Sequence, residues 1–191
     1  MKQIYNNLYK DNVKGLIDFP NFRDYIQYLW LSQKPYDTLS SKDNTNGVRN
    51  FVLSPTSPDK NKVLSDIYNL FLNKVNSVFK EYSVHKDNKR DVWVYCSDKR
   101  YSDTGIHDHK ETATINGVIY VKTVKNCGIK FYVPDEVYEE PSDCDIYIFP
   151  GDMAHDPLPS NNEMRISINV ELKCNESIRD LFDPKNIREN F

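Results

Sequence analysis

The chain has 191 residues, 25 of them Lys or Arg and 28 Asp or Glu, for a formal charge of −3. This length suits a single domain, 1–191, with a substantial core and is short for two, while the near balance of charge gives no electrostatic reason to expect nucleic acid or an anionic membrane as partner. Cys96, Cys127, Cys144 and Cys174 lie 31, 17 and 30 residues apart with no C-x-x-C pair, which reads as reduced thiols in a cytoplasmic protein and not as a disulfide framework or structural zinc module.

The N-terminus, MKQIYNNLYKDN, lacks the apolar stretch of a secretory signal, and no window approaches the ~18 to 20 apolar residues of a membrane span. From 1 to about 56 the pattern is mixed, broken by Pro20, Pro35 and Pro55, with a polar loop at Ser40 to Gly47. Ser57-Pro58-Asp59 then supplies an N-cap, a proline at the first helical position and early negative charge. Leu64, Ile67, Tyr68, Phe71, Val75, Val78, Phe79 and Tyr82 follow at three- and four-residue spacing, predicting an amphipathic helix over about 58–82 that packs on a sheet. Residues 1–90 thus form a support region.

Beyond residue 90 the period changes to two. Strands are expected at 91–96 (DVWVYC), 105–109 (GIHDH), 114–124 (TINGVIYVKTV), 128–133 (GIKFYV), 144–150 (CDIYIFP) and 164–172 (MRISINVEL), divided by turn-rich pieces such as KNCG and PSNNE. A long helix followed by short antiparallel strands predicts a mainly β, α+β architecture. Its core, 91–173, is expected to be a double-stranded β-helix (jelly roll) with helices outside and a ligand site at the mouth. The tail, 174–191, has room for a short helix.

Two of the four histidines, His107 and His109, lie two residues apart, and His155 follows 48 residues after His107. On a strand, residues i and i+2 share a face, and neutral imidazole is the commonest ligand for first-row metals. Two ligands from one strand and a third from a distant one can form one face of an octahedron; surface or hydrogen-bonded histidines would give the same spacing. His85, near the end of the helix, is expected to be solvent-exposed and uninvolved. Ten residues beyond His155 comes Arg165, with Ser167 on the same face of its strand. A guanidinium turned into a barrel needs an anion, from an internal Asp or Glu or from a ligand. Trp93 and Tyr95 can wall such a pocket or simply fill the core.

HDH (107–109), NGVIYV (116–121), FPGDMAH (149–155) and RIS (165–167), in this order and spacing, resemble the iron(II)/2-oxoglutarate-dependent oxygenase superfamily, and within it small members with an H-x-H…H…R-x-S pattern. The likeness covers roughly 91–172. It implies a hydroxylase-type dioxygenase in which His107 and His155 bind Fe(II) and Arg165 with Ser167 holds the distal carboxylate of 2-oxoglutarate. Tyr120 falls where the superfamily often has a tyrosine reaching that carboxylate. Molecular oxygen and an unidentified prime substrate would be the other reactants. In one respect the chain departs from the pattern: most of the superfamily has a carboxylate where His109 stands, and the neighbouring Asp108 is one residue off register. On a regular strand Asp108 points away and His109 is the third ligand; a β-bulge would re-aim Asp108 instead. Two other readings fit the same residues. One is a three-histidine, cupin-like dioxygenase that does not use 2-oxoglutarate, in which Arg165 binds the substrate's own carboxylate. The other is a non-catalytic jelly-roll binding module.

Overall fold

The computed structural model describes residues 1–32, 39–43, 49–53, 62–88, 92–97, 105–158 and 163–189. The strands are β1 (Lys2–Tyr5), β2 (Leu8–Asn12), β3 (Leu39–Asp43), β4 (Arg49–Leu53), β5 (Val92–Ser97), β6 (Ile115–Lys122), β7 (Ile129–Val133), β8 (Asp135–Glu139), β9 (Asp145–Pro150), β10 (His155–Pro157) and β11 (Arg165–Leu172). The helices are α1 (Phe19–Ser32), α2 (Lys62–Val78) and the single turn α3 (Ile178–Leu181). The large sheet has the order β1-β2-β9-β6-β11-β5-β4-β3 and the small one β10-β7-β8. All of these pairings are antiparallel.

Period-two alternation divides the large sheet into two faces. Val92, Val94 and Cys96 of β5, Ile115, Ile119 and Val121 of β6, Ile146 and Ile148 of β9, and Ile166, Ile168, Val170 and Leu172 of β11 join one apolar cluster with the helices. From α2 come Ile67, Phe71, Val75 and Val78, at the spacing of a helix face; from α1 come Phe19, Phe22 and Ile26. Gly117 allows this approach, because a Cβ there would lie 2.5 Å from the Phe71 ring. On the opposite face Val118, Tyr120, Tyr147 and Phe149 pack with Ile129 and Phe131 of the small sheet. The two sheets therefore close on a second core, as a jelly roll requires.

Several sequence expectations need correction. The helix predicted to reach residue 82 ends at Val78, because the tail captures its last carbonyls: Arg188 N donates to Val78 O at 2.9 Å, and Arg188 Nε donates to Asn76 O at 2.9 Å and Phe79 O at 3.0 Å. Its predicted start at 58 lies outside the described residues. The loop expected from Ser40 begins as β3, paired with β4. Residues 105–109 are not a strand: His107 makes one isolated antiparallel bridge with His155, and the chain then turns, Thr112 and Ala113 N donating to His109 O at 2.9 and 2.8 Å. No helix among the described residues is long and apolar enough to cross a membrane.

Candidate metal centre

His107 and His155 exchange both backbone hydrogen bonds, at 3.0 and 2.9 Å, which puts their side chains on one side of the bridge. His109 is fixed separately, its N–H donating to Gly151 O at 2.7 Å, while Gly151 N donates to Thr114 O at 3.0 Å. Glycine is required at 151, since a Cβ would lie 2.0 Å from Ala113 O; the FPGD turn and the HDH segment pack backbone to backbone. One ring nitrogen from each of His107, His109 and His155 lies within 4.8 Å of the others, so the trio could hold a metal ion.

In each of the three rings Nδ1 is already engaged. Nδ1 of His107 is 2.9 Å from Gly105 O, Nδ1 of His155 is 3.1 Å from Met153 O, and Nδ1 of His109 is 2.8 Å from Glu171 Oε1. All three partners are acceptors, so Nδ1 carries the proton and the Nε2 lone pair is left for a metal. Burial pushes the His155 imidazolium down to about 3, with the neighbouring His107 adding to the effect. Burial likewise holds His107 below the ordinary imidazole range. Both are neutral near pH 7, as metal ligation requires. Phe149 and Phe131 pack against the His155 ring at centroid distances of 5.0 and 6.2 Å.

Asp108 lies on the outside, where Oδ1 accepts from Lys110 N at 3.3 Å and Oδ2 is 3.6 Å from Lys110 Nζ. The large sheet's register shifts fall elsewhere, between Gln3 and Tyr5 in the β1–β2 pairing and between Ile166 and Ser167 in the β6–β11 pairing. His85 is half-buried instead of exposed, its Nδ1 accepting from Asp87 N at 3.1 Å, and it is no member of the histidine cluster.

The inner face of β11 carries the rest of the site. Arg165 is fully buried, and its Nη1 donates to Cys127 O at 2.8 Å and Gly128 O at 3.2 Å. Its Nε and Nη2 have no hydrogen-bond partner, and among the described residues no carboxylate forms an ion pair with it. Nε and Nη2 make up one edge of the guanidinium, the edge that accepts a carboxylate in a two-point fork. Ser167 stands opposite Tyr120 of β6 and Tyr95 of β5 in register; the Tyr95 ring lies 5.9 Å from the guanidinium carbon. Ser97, directly opposite Arg165 on β5, is fully buried with an unpartnered hydroxyl. Trp93, also on this face, approaches His109 at 6.3 Å between ring centroids.

No sequence-family profile and no characterised protein sequence matches the chain, but solved structures do. A Pseudomonas putida prolyl-4-hydroxylase superposes with TM-score 0.63 at 12% identity, covering 88% of this chain and 93% of its own. The viral collagen prolyl hydroxylase of Paramecium Bursaria Chlorella virus-1, solved as its 2-oxoglutarate complex, gives 0.57 at 13%, covering 91% and 100%. The non-heme α-ketoglutarate-dependent carbocyclase SnoK from nogalamycin biosynthesis gives 0.58 at 11%, covering 97% and 90%. The chain has the fold of the iron(II)/2-oxoglutarate-dependent oxygenases. Within that fold the trio follows an H-x-H…H order.

Glu171 and Ser97 escaped the reading of the sequence. Both could have been found by parity: 165, 167, 169 and 171 share one face of β11, and Ser97 shares a face with Trp93 and Tyr95.

Proposed function

We propose that the protein is an Fe(II)- and 2-oxoglutarate-dependent oxygenase that hydroxylates a C–H bond of a prime substrate. The observation that carries this reading is the buried Arg165 guanidinium with one edge free, on the barrel face that also holds a carboxylate touching His109. A half-satisfied buried cation is costly, and a dicarboxylate cofactor would satisfy it. His107, His109 and His155 would hold the iron through Nε2. Arg165 would bind the distal carboxylate through Nε and Nη2, with the Ser167 and Tyr120 hydroxyls as further donors. Iron with 2-oxoglutarate and oxygen supplies the oxidising chemistry of C–H hydroxylation. Phe131 and Phe149 shield the His155 ring from bulk water, and Trp93 lies beside His109.

Prolyl hydroxylases and a carbocyclase share this fold, so the fold does not select the prime substrate. A cytoplasmic setting, supported by four unpaired thiols, and operation of residues 1–191 as one unit belong to the same proposal. The all-nitrogen donor set also favours a second reading, a three-histidine dioxygenase whose substrate carboxylate meets Arg165.

The test is thermal melting with Mn(II) and 2-oxoglutarate, alone and together. Native-state binding at a hundred times Kd contributes about 2.7 kcal/mol, or roughly 5 to 11 °C at this size, and 2-oxoglutarate should add this shift only with metal present. Arg165→Ala should keep the metal and lose 2-oxoglutarate affinity at least ~30-fold. Metal binding with no further shift from 2-oxoglutarate selects the second reading.

A further inference from the structure

We infer that Glu171 is a positioning residue for the metal, returning one bond outward the negative charge that the chain lacks among its ligands. The inference rests on the metal-binding reading above. Val170 and Leu172 lie in the helix-facing core, so strand alternation forces the carboxylate between them onto the inner face. There it is buried at 7% exposure. Burying an unpaired carboxylate is prohibitive, and among the described residues its one partner is the ring of His109, Nδ1 to Oε1 at 2.8 Å, with the imidazole itself 17% exposed.

The contrast among the three rings gives this contact its meaning. His107 and His155 donate to the uncharged carbonyls of Gly105 and Met153. Only His109, at the position where the resembled pattern has a carboxylate, donates to an anion. A carboxylate on Nδ1–H fixes the tautomer, aims Nε2 and raises its basicity. Three neutral imidazoles would leave a dication uncompensated; a Glu171-bound imidazole gives part of the charge back through the ring.

The experiment uses Co(II) alone as probe, with anaerobic titration followed by its visible absorption bands. Glu171→Gln keeps shape and an acceptor oxygen but removes the charge, and should weaken Co(II) about 10- to 100-fold; Glu171→Ala, which also frees the ring, should weaken it further. The same Glu171→Gln change is then made in a His109→Asp background, where no imidazole relays the charge and the loss should shrink to about threefold or less. In 15N-histidine spectra of the metal-free protein, His109 should be Nδ1-protonated, and Glu171→Ala should lose that preference whether or not it binds metal. Equal losses in the two backgrounds, or affinities within about twofold of wild type for both Glu171 variants, overturn the inference while leaving the metal site standing. A wild-type chain that takes up no Co(II) overturns both.

Discussion

The two faces of β11 differ in what they are for. Ile166, Ile168, Val170 and Leu172, all fully buried, meet the helices in a continuous apolar cluster. Arg165, Ser167 and Glu171, nearly as buried, face the barrel interior with a guanidinium edge unpaired and a carboxylate held by one imidazole. Burial stabilises the first face by roughly 25 cal/mol per Å² of apolar surface. On the second it opposes folding, since each polar group must be matched inside a low-dielectric space. One strand thus carries both the fold's anchoring and the chemistry's cost, and neighbouring residues serve opposite ends.

The sharpest way to break this contrast is to substitute across it. Ile168→Ala, at the centre of the apolar face, should cost about 2 to 5 kcal/mol and lower the melting temperature by roughly 4 to 20 °C, leaving metal affinity unchanged in the folded fraction. Arg165→Met should do the reverse: metal-free stability within about 1 kcal/mol of wild type or above it, with 2-oxoglutarate stabilisation gone. Melting curves of both variants, with and without ligands, check the pair. If Arg165→Met lost as much metal-free stability as Ile168→Ala, the inner face would be structural.

Acid should act on the inner face first. The His155 imidazolium, depressed by burial to about 3, and His107, depressed in the same direction, compare with about 6.5 in an unfolded chain. Between those values the unfolded state binds more protons, so stability rises with pH. It is fully present above about 6.5 and is lost as pH falls below that, at up to about 1.4 kcal/mol per pH unit for each fully neutral histidine. Melting of the metal-free protein from pH 7.5 to 5, above the range where most carboxylates protonate, measures this. A flat profile there would mean that these rings are not held neutral.

The parts of the molecule legible in the sequence are those with period. Strands β5, β6, β7, β9 and β11 fall within a residue or two of their expected places, because each is a half-buried run with turn residues on either side. His107, His109, His155 and Arg165 stood out by type and spacing. Strands β1 to β4 were hidden, being only four or five residues long and in two cases largely polar, KQIY and LSSKD; the large sheet recruits them by edge pairing, which no local pattern announces. β8, DEVYE, looks like a loop because its outer face is solvated. Glu171 was legible only to parity, since an acidic residue near a strand's end is ordinarily solvent-exposed. The misread GIHDH segment is instructive: its alternation is real, with 107 and 109 half-buried and 106, 108 and 110 exposed, yet one bridge and a turn produce it.

That distinction sets up the smallest expected effect. On a continuous strand Asp108 would be aimed by ladder hydrogen bonds on both sides. Here it is aimed by the His107–His155 bridge before it and the His109–Gly151 hydrogen bond after it, while among the described residues its carboxylate touches only Lys110. An exposed ion pair of this kind contributes about 0 to 1 kcal/mol, and the hydrogen bond to Lys110 N is replaceable by water. Asp108→Ala should therefore change stability by no more than about 0.5 kcal/mol and leave Co(II) affinity within about twofold of wild type. His109→Ala, two atoms of backbone geometry away in the same turn, should lose most of it, because it removes one of three converging nitrogens. Titrating the two variants side by side decides which residue meets the metal. Loss of binding in Asp108→Ala with retention in His109→Ala would mean that the segment re-aims when metal arrives, and that the bridge does not fix it.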